Sequence, residues 1–298
     1  MKSLKLAEKR RSVREYKKKT LSHEHRLYLN DLLGHKPEVV NQTHVEFRFI
    51  ENGFEKAPQL MGLAGYKGRI IEAPHYYAIL GEEDSKECKI AGYVGEWLIL
   101  NATKENIGTC WIEVTESEKA KEVLGIASQK KILALIAIGY PKSERKLSNI
   151  YASAGKGGLS SLTEMGYPNI ETHYEKTPVS GRKSIVEFVF TEEWGKTPSL
   201  EDLEKLGIHE VLFYMRLAPS YENRQPWQFF VKENSIDLFI EKSDTISEIA
   251  QCLDSGVAMF YFEVGMHDIG IAGHWEIMEY DAVKGVPDHY RMVAQYLY

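Results

Sequence analysis

The sequence states one pattern twice at a constant spacing. Asn41 and Asn223 lie 182 residues apart, as do Asn52 and Asn234. Lys19-Thr20-Leu21-Ser22 opens one helical pattern and Lys196-Thr197-Pro198-Ser199 opens another, with Ser199 and Asp202 near capping-box spacing. Each leads to an alternating strand: Val45, Phe47 and Phe49 before Glu51-Asn52-Gly53, then Trp227, Phe229 and Val231 before Glu233-Asn234-Ser235. Further on, Ile90, Tyr93, Val94, Trp97 and Leu98 share a helix face that runs into Ile107-Gly108. Ile249, Cys252, Leu253, Val257 and Phe260 do the same before Ile269-Gly270. Such repetition predicts two like halves, residues 1–195 and 196–298, related by an internal pseudo-twofold. One chain then supplies what two subunits supply in a homodimer, including any pocket at the dimer interface.

Strands separated by helical segments, without regular alternation, predict an α+β fold rather than a doubly wound parallel sheet. The apolar run Ile132 to Ile138, bounded by Gly139-Tyr140-Pro141, suits a central strand, and residues 142–181 read as a long surface loop. At 43% hydrophobic and 27% charged residues the chain is neither disordered nor fibrous. Its longest nearly unbroken apolar run, Ile132 to Tyr140, is about half of the roughly 18 residues a membrane span needs. Cys88, Cys110 and Cys252 are too few and too scattered for a disulfide scaffold or a four-cysteine zinc site. With no apolar signal segment after the charged start, a cytoplasmic protein beginning at Met1 is expected. His23-Glu24-His25 places its histidines on different helix faces, so no metal site is predicted there.

Charge is distributed unevenly. The net charge is −6, yet residues 1–19 carry nine Lys or Arg against Glu8 and Glu15, a local +7 that leaves −13 elsewhere. A basic head on an acidic body suits one locally bound anion better than a nucleic acid. Within the head, Arg10-Arg11-Ser12-Val13-Arg14 offers guanidinium forks and a hydroxyl, donors suited to phosphate. A second constellation, Leu217-Ala218-Pro219-Ser220-Tyr221-Glu222-Asn223-Arg224-Gln225-Pro226-Trp227, is stiffened by its prolines. Ser220, Asn223 and Gln225 there could meet a flat heterocycle at little ordering cost, or could cap a turn over a buried Trp227.

As an ordered set these segments resemble the nitroreductase family of FMN-dependent flavoproteins, closest to its tandem, single-chain branch. Arg10 to Arg14 resembles the family's phosphate motif, and Ala218 to Trp227 its proline-serine loop. Ile107-Gly108-Thr109-Cys110-Trp111-Ile112-Glu113 resembles the segment beside the reactive flavin edge, and Arg182 to Phe188, ending near Trp194-Gly195, its C-terminal basic element. The early counterpart of the loop, His35 to Asn41, has lost most of the pattern, and the second copy has no arginine-serine motif before Thr197. The resemblance therefore implies one flavin site, with phosphate and N5 edge held by the first half and the ring covered by the second. It implies that Arg10, Ser12 and Arg14, with Arg11, Arg182 and Lys183, neutralise the FMN phosphate. It further implies that a backbone N–H near Glu113 meets N5, that Trp111 belongs to the same cofactor-binding segment, and that Pro219, Ser220, Tyr221, Asn223 and Gln225 line the ring. Lys67 or Arg69 could lie near N1, and Cys110 is expected to be a buried, inert thiol.

The implied reaction is ping-pong transfer from NAD(P)H to a nitroaromatic or quinone-like acceptor by a monomer acting as a pseudo-dimer. The flavin carries the chemistry, so no catalytic side chain is required, nor a Rossmann fingerprint. A flavin-binding scaffold without turnover, and a related flavin enzyme such as a reductive dehalogenase or flavin-fragmenting enzyme, remain as alternatives, because a fold does not select a chemistry.

Overall fold

The computed structural model describes residues 3–37, 44–65, 69–142 and 181–298. It divides into a body, Met1–Pro141 with Lys183–Tyr298, and a second unit, Lys142–Arg182, of which only Lys142, Gly181 and Arg182 are described. Residues 38–43, 66–68 and 143–180 lie outside the described residues, and with them most of the early loop counterpart, Lys67 and most of the long loop.

In the first half the order is α1 (Ser3–Lys9), α2 (His23–Gly34), β1 (Glu46–Ile50), α3 (Gly53–Leu60), β2 (Ala64–Gly65), β3 (His75–Gly81), α4 (Ser85–Lys104), β4 (Gly108–Val114), α5 (Ser117–Leu124) and β5 (Lys131–Gly139). After the long loop come β6 (Val189–Thr191), α6 (Leu200–Lys205), α7 (His209–Met215), β7 (Trp227–Val231), β8 (Ser235–Glu241), α8 (Glu248–Asp268), β9 (His274–Tyr280) and β10 (Tyr290–Leu297). One sheet runs β1-β3-β5-β4-β2 and the other β6-β7-β8-β10-β9. Without β2 and β6 the two orders coincide, with β1, β3, β5 and β4 matching β7, β8, β10 and β9. Both are antiparallel apart from the β6–β7 pair, through which the last part of the first half adds a strand to the second sheet.

Local signals fold as their chemistry dictates. Ser22 caps α2, accepting from the His25 N–H at 3.2 Å, and Ser199 caps α6 in a reciprocal box with Asp202. The two asparagine turns then diverge. Asn52, at φ 56°, launches α3, whereas Asn234 closes the β7–β8 hairpin directly. The inserted α3 and β2 reduce the offset between copies from 182 residues at these turns to 164 at the helices, where Lys89 matches Leu253 and Gly92 matches Gly256.

The long apolar run of β5 is explained by burial on both faces. Leu133, Ile136 and Ile138 join a core shared by both halves, while Ile132, Leu135 and Ala137 face a second core under α5. In the shared core α4 and α8 cross so closely that backbone touches backbone. A Cβ added to Gly92 would stand 2.2 Å from the Leu253 carbonyl oxygen, and one on Gly256 would stand 1.8 Å from that of Lys89. The contact is self-complementary, as a twofold requires.

Alanine at Gly92 or Gly256 must push the helices apart. Helix propensity would return at most about 1 kcal/mol, against an overpacking cost of about 1–3 kcal/mol or more. Each variant is therefore expected to unfold at a lower urea concentration than the parent, and a midpoint at or above the parent's would contradict the crossing.

Candidate functional site

Strand β4 organises the site, because a segment from each half is built onto it. The arm of residues 10–14 leaves the end of α1, where the Arg11 guanidinium donates to the carbonyls of Glu8 (2.6 Å) and Arg10 (2.8 Å). Arg11 thus caps a helix end, a use of its charge that the sequence did not announce. Ser12 bridges to Thr109, and the Val13 N–H donates to the Thr109 carbonyl at 2.9 Å. Gly108 permits this approach, since a Cβ there would lie 2.8 Å from the Val13 side chain. Ser12 and Arg14 are exposed along this edge, as is Arg69 elsewhere in the half. Beneath the arm sits the buried Cys110 thiol. Burial pushes it up against the opposing pull of Arg14, Arg10 and Ser12, which keeps it protonated.

At the far end of β4, Glu113 pairs with Gly65 of β2. The Thr115 N–H donates to the Leu63 carbonyl at 2.9 Å, so antiparallel alternation makes Glu113–Gly65 a hydrogen-bonded pair as well. The same alternation turns the N–H and C=O of Trp111 into the interval between the arm at Thr109 and β2 at Glu113. The backbone position facing that interval is therefore Trp111, two residues before Glu113. Thr109 and Glu113 are about 13 Å apart along the strand. The Trp111 indole packs on α4, where Gly95 leaves room for it, and donates from Nε1 to Glu96 Oε2 at 2.8 Å.

Arg10 behaves differently from the rest of the arm. It is 7% exposed, its Nε lies 3.8 Å from Oε1 of the fully buried Glu96, and its Nη1 donates to Ser12 Oγ at 3.4 Å. Its Nε makes no hydrogen bond.

The second half contributes the loop after α7. Helix α7 stands beside α1, with the Tyr214 hydroxyl donating to Glu8 at 3.4 Å. Arg216 Nε donates to the Lys183 carbonyl (2.8 Å), the Lys183 N–H donates to Gln225 Oε1 (3.0 Å), and Gln225 Nε2 donates to the Asn223 carbonyl (3.1 Å). The Gln225 N–H donates to Ser220 Oγ at 2.8 Å. Gln225 and Lys183 thus brace the loop through these bonds, while half-buried Pro219 and exposed Asn223 lie along it. Glu222, Asn223 and Gln225 sit at φ 50°, 59° and 51°, in the left-handed region that β-carbon residues enter only when surrounding contacts impose it. Asp254 of α8 anchors the loop just before them by accepting the Tyr221 N–H on both oxygens (2.9 and 3.1 Å). The Tyr221 hydroxyl in turn donates to Glu113 Oε2 (2.9 Å), and Ser247, the cap of α8, donates to Oε1 (3.2 Å). The loop and β4 are thereby joined across the halves. Arg182 belongs to the second unit.

Pseudo-symmetry exposes what the other side lacks. Glu279 is the sixth of seven residues in β9, as Glu113 is in β4. It accepts the Ser85 hydroxyl and, at 3.1 Å, the ammonium of fully buried Lys89. Where Glu113 receives the loop tyrosine, Glu279 receives a buried lysine, and among the described residues no arginine-serine arm precedes α6.

Glu96 and Asp254 were missed at the level of motifs, although each is an acid inside a mostly apolar helical stretch. Burial pushes Asp254 up to about 7, opposed by the Tyr221 N–H and Arg224. The folded chain therefore binds a proton that the unfolded chain has released from about pH 4 upward. The Asp254 contribution to stability should fall between about pH 4 and pH 7, by an amount on the order of 4 kcal/mol, and level off above. Denaturation curves of the parent and Asp254→Asn across that window check this, and parallel pH profiles would contradict it.

Comparison with known proteins follows the same lines. Residues 3–266 match the family model described as "Putative TM nitroreductase". The fold is similar to that of a "putative nitroreductase" from Thermotoga maritima, with a TM-score of 0.56 and 17% identity, covering 98% of this chain and 94% of that one. Weaker likenesses include an FMN-dependent nitroreductase from Clostridium difficile R20291 (TM-score 0.41, 20% identity, 52% of this chain and 97% of that one). Iodotyrosine deiodinase, crystallised with FMN and 3-iodo-L-tyrosine, is similar at TM-score 0.41 and 16% identity, over 48% of this chain and 91% of that one. A search of curated proteins found no match. Among the described residues no helix is long and apolar enough to cross a membrane. With a family model spanning most of its length and an α+β nitroreductase fold built from two tandem halves, the chain belongs to the nitroreductase family.

Proposed function

We propose that the protein is an FMN-dependent NAD(P)H oxidoreductase that reduces small electron-poor acceptors, nitroaromatics or quinones, in ping-pong order. The observation that carries this reading is the construction of β4. An exposed hydroxyl and guanidinium, Ser12 and Arg14, stand at one end, a braced loop from the other half stands at the other, and the backbone of Trp111 faces the interval between them. That interval of about 13 Å is on the scale of an extended mononucleotide.

The residues present fit FMN. Ser12 and Arg14 would hold the phosphate, with the buried Arg10 guanidinium behind them, its Nε turned toward Glu96 and its Nη1 on Ser12. The Trp111 N–H would meet the ring edge, and Ser220, Tyr221 and Asn223 would cover the ring and exclude water. Bound FMN would supply the redox chemistry, taking a hydride from the nicotinamide and passing electrons to the acceptor. The chain itself binds and orients. With no arm in the second half and Lys89 on Glu279, the reading gives one flavin per chain, held by residues 1–195 and covered by residues 196–298 of a monomer.

Purified protein supplied with FMN should take up one equivalent per chain and bleach on addition of NADH or NADPH. Protein that ignores FMN would overturn the reading, and bound flavin that never bleaches would identify a flavin-binding scaffold instead. Arg14→Ala should weaken FMN binding by about tenfold or more, the worth of a charge-assisted hydrogen bond, while leaving riboflavin affinity nearly unchanged. Flavin fluorescence titration measures both.

A further inference from the structure

Glu96 in the shared core touches the arm through Arg10, β4 through Trp111 and α8 through Tyr261. Its carboxylate is completely buried in the middle of α4. Oε2 accepts the Trp111 indole N–H at 2.8 Å, and Oε1 accepts the Tyr261 hydroxyl of α8 at 3.2 Å and faces Arg10 Nε at 3.8 Å. An indole N–H and a guanidinium can only donate, so these partners favour the carboxylate, against a burial that pushes the Glu96 carboxyl above the ordinary carboxylate range. Burying such a charge is costly unless it is paired, which gives the arm a strong reason to bring Arg10 inward. Arg10 opens the arm that carries Ser12 and Arg14, and Trp111 is the strand residue whose backbone faces the interval. The buried Glu96 carboxyl therefore ties the arm and the middle of β4 to the same helix.

We propose that Glu96 is a positioning residue that sets the separation between the arm and the Trp111 edge of β4, and so makes the site selective for the phosphorylated flavin. The proposal rests on the FMN reading above. It goes further by assigning phosphate selectivity to a side chain that does not itself meet the ligand.

The test compares dissociation constants for FMN and riboflavin in the intact protein and in Glu96→Gln. The amide keeps the shape but presents a donor toward Tyr261 or Arg10 and leaves Arg10 without a counter-charge. FMN affinity is expected to fall by about tenfold or more, with riboflavin affinity changing less than about threefold, so that the ratio of the two collapses. Equal losses for both flavins would reduce Glu96 to a structural part and overturn the proposal. Tighter FMN binding would overturn it too, by showing that Glu96 merely competes with phosphate for Arg10. If the Gln variant does not fold, Tyr261→Phe, which removes one donor and keeps both charges, should lower the same ratio, and an unchanged ratio would overturn the proposal. Parent protein that binds neither flavin would instead refute the FMN reading itself, a result distinct from a parent that selects FMN and a variant that still does.

Discussion

The body of the protein formed by both halves is arranged around the crossing of α4 and α8. Two glycines allow each helix to rest on a backbone carbonyl of the other, and a methyl group on either would collide with that carbonyl. Contact at this range leaves no room for sliding, so the two halves are held in one relation. Strand β4 follows α4 and the bracing residue Asp254 lies two residues from Gly256, so the same crossing brings the first half's strand and the second half's loop together.

Two acids buried between these helices, Glu96 and Asp254, each hold a segment that has little intrinsic order. Glu96 draws in the arm through Arg10, and Asp254 pins a loop whose residues occupy left-handed backbone conformations. Buried polar groups of this kind contribute less to net stability than well-packed apolar side chains would, but an unsatisfied one is penalised heavily, so they select a single arrangement. The asymmetry between the halves follows from the same physics. Lys89 and Glu279 satisfy one another at the position where Glu113 meets Tyr221 in the other half.

Much of the architecture was legible beforehand because its determinants are local or periodic. The capping serines, the doubly buried β5, the amphipathic faces of α4 and α8 and the doubling of the pattern all lie within windows of a few turns, where spacing alone specifies which face is buried. The site was legible as a set of segments. Its wiring was not: nothing in Arg10-Arg11-Ser12-Val13-Arg14 distinguishes the arginine that pairs with Glu96 from the one that caps α1 or the one left at the surface. Likewise Gln225 read as a ligand-facing amide, yet both ends of its amide bond the backbone of the loop and of Lys183.

The amino-acid order by itself determined that there are two halves, that they are α+β, and that a phosphate-type motif and a stiff polar loop reside in different halves. Periodicity, capping and turn chemistry act over short stretches of chain, and the sequence displays them directly. Which guanidinium points inward, which strand residue faces the open interval, and which glutamate meets a tyrosine while its counterpart meets a lysine were settled only by the fold. Those outcomes depend on groups as much as 190 residues apart competing for the same few ångströms of space and the same buried charges, and no local window contains both competitors.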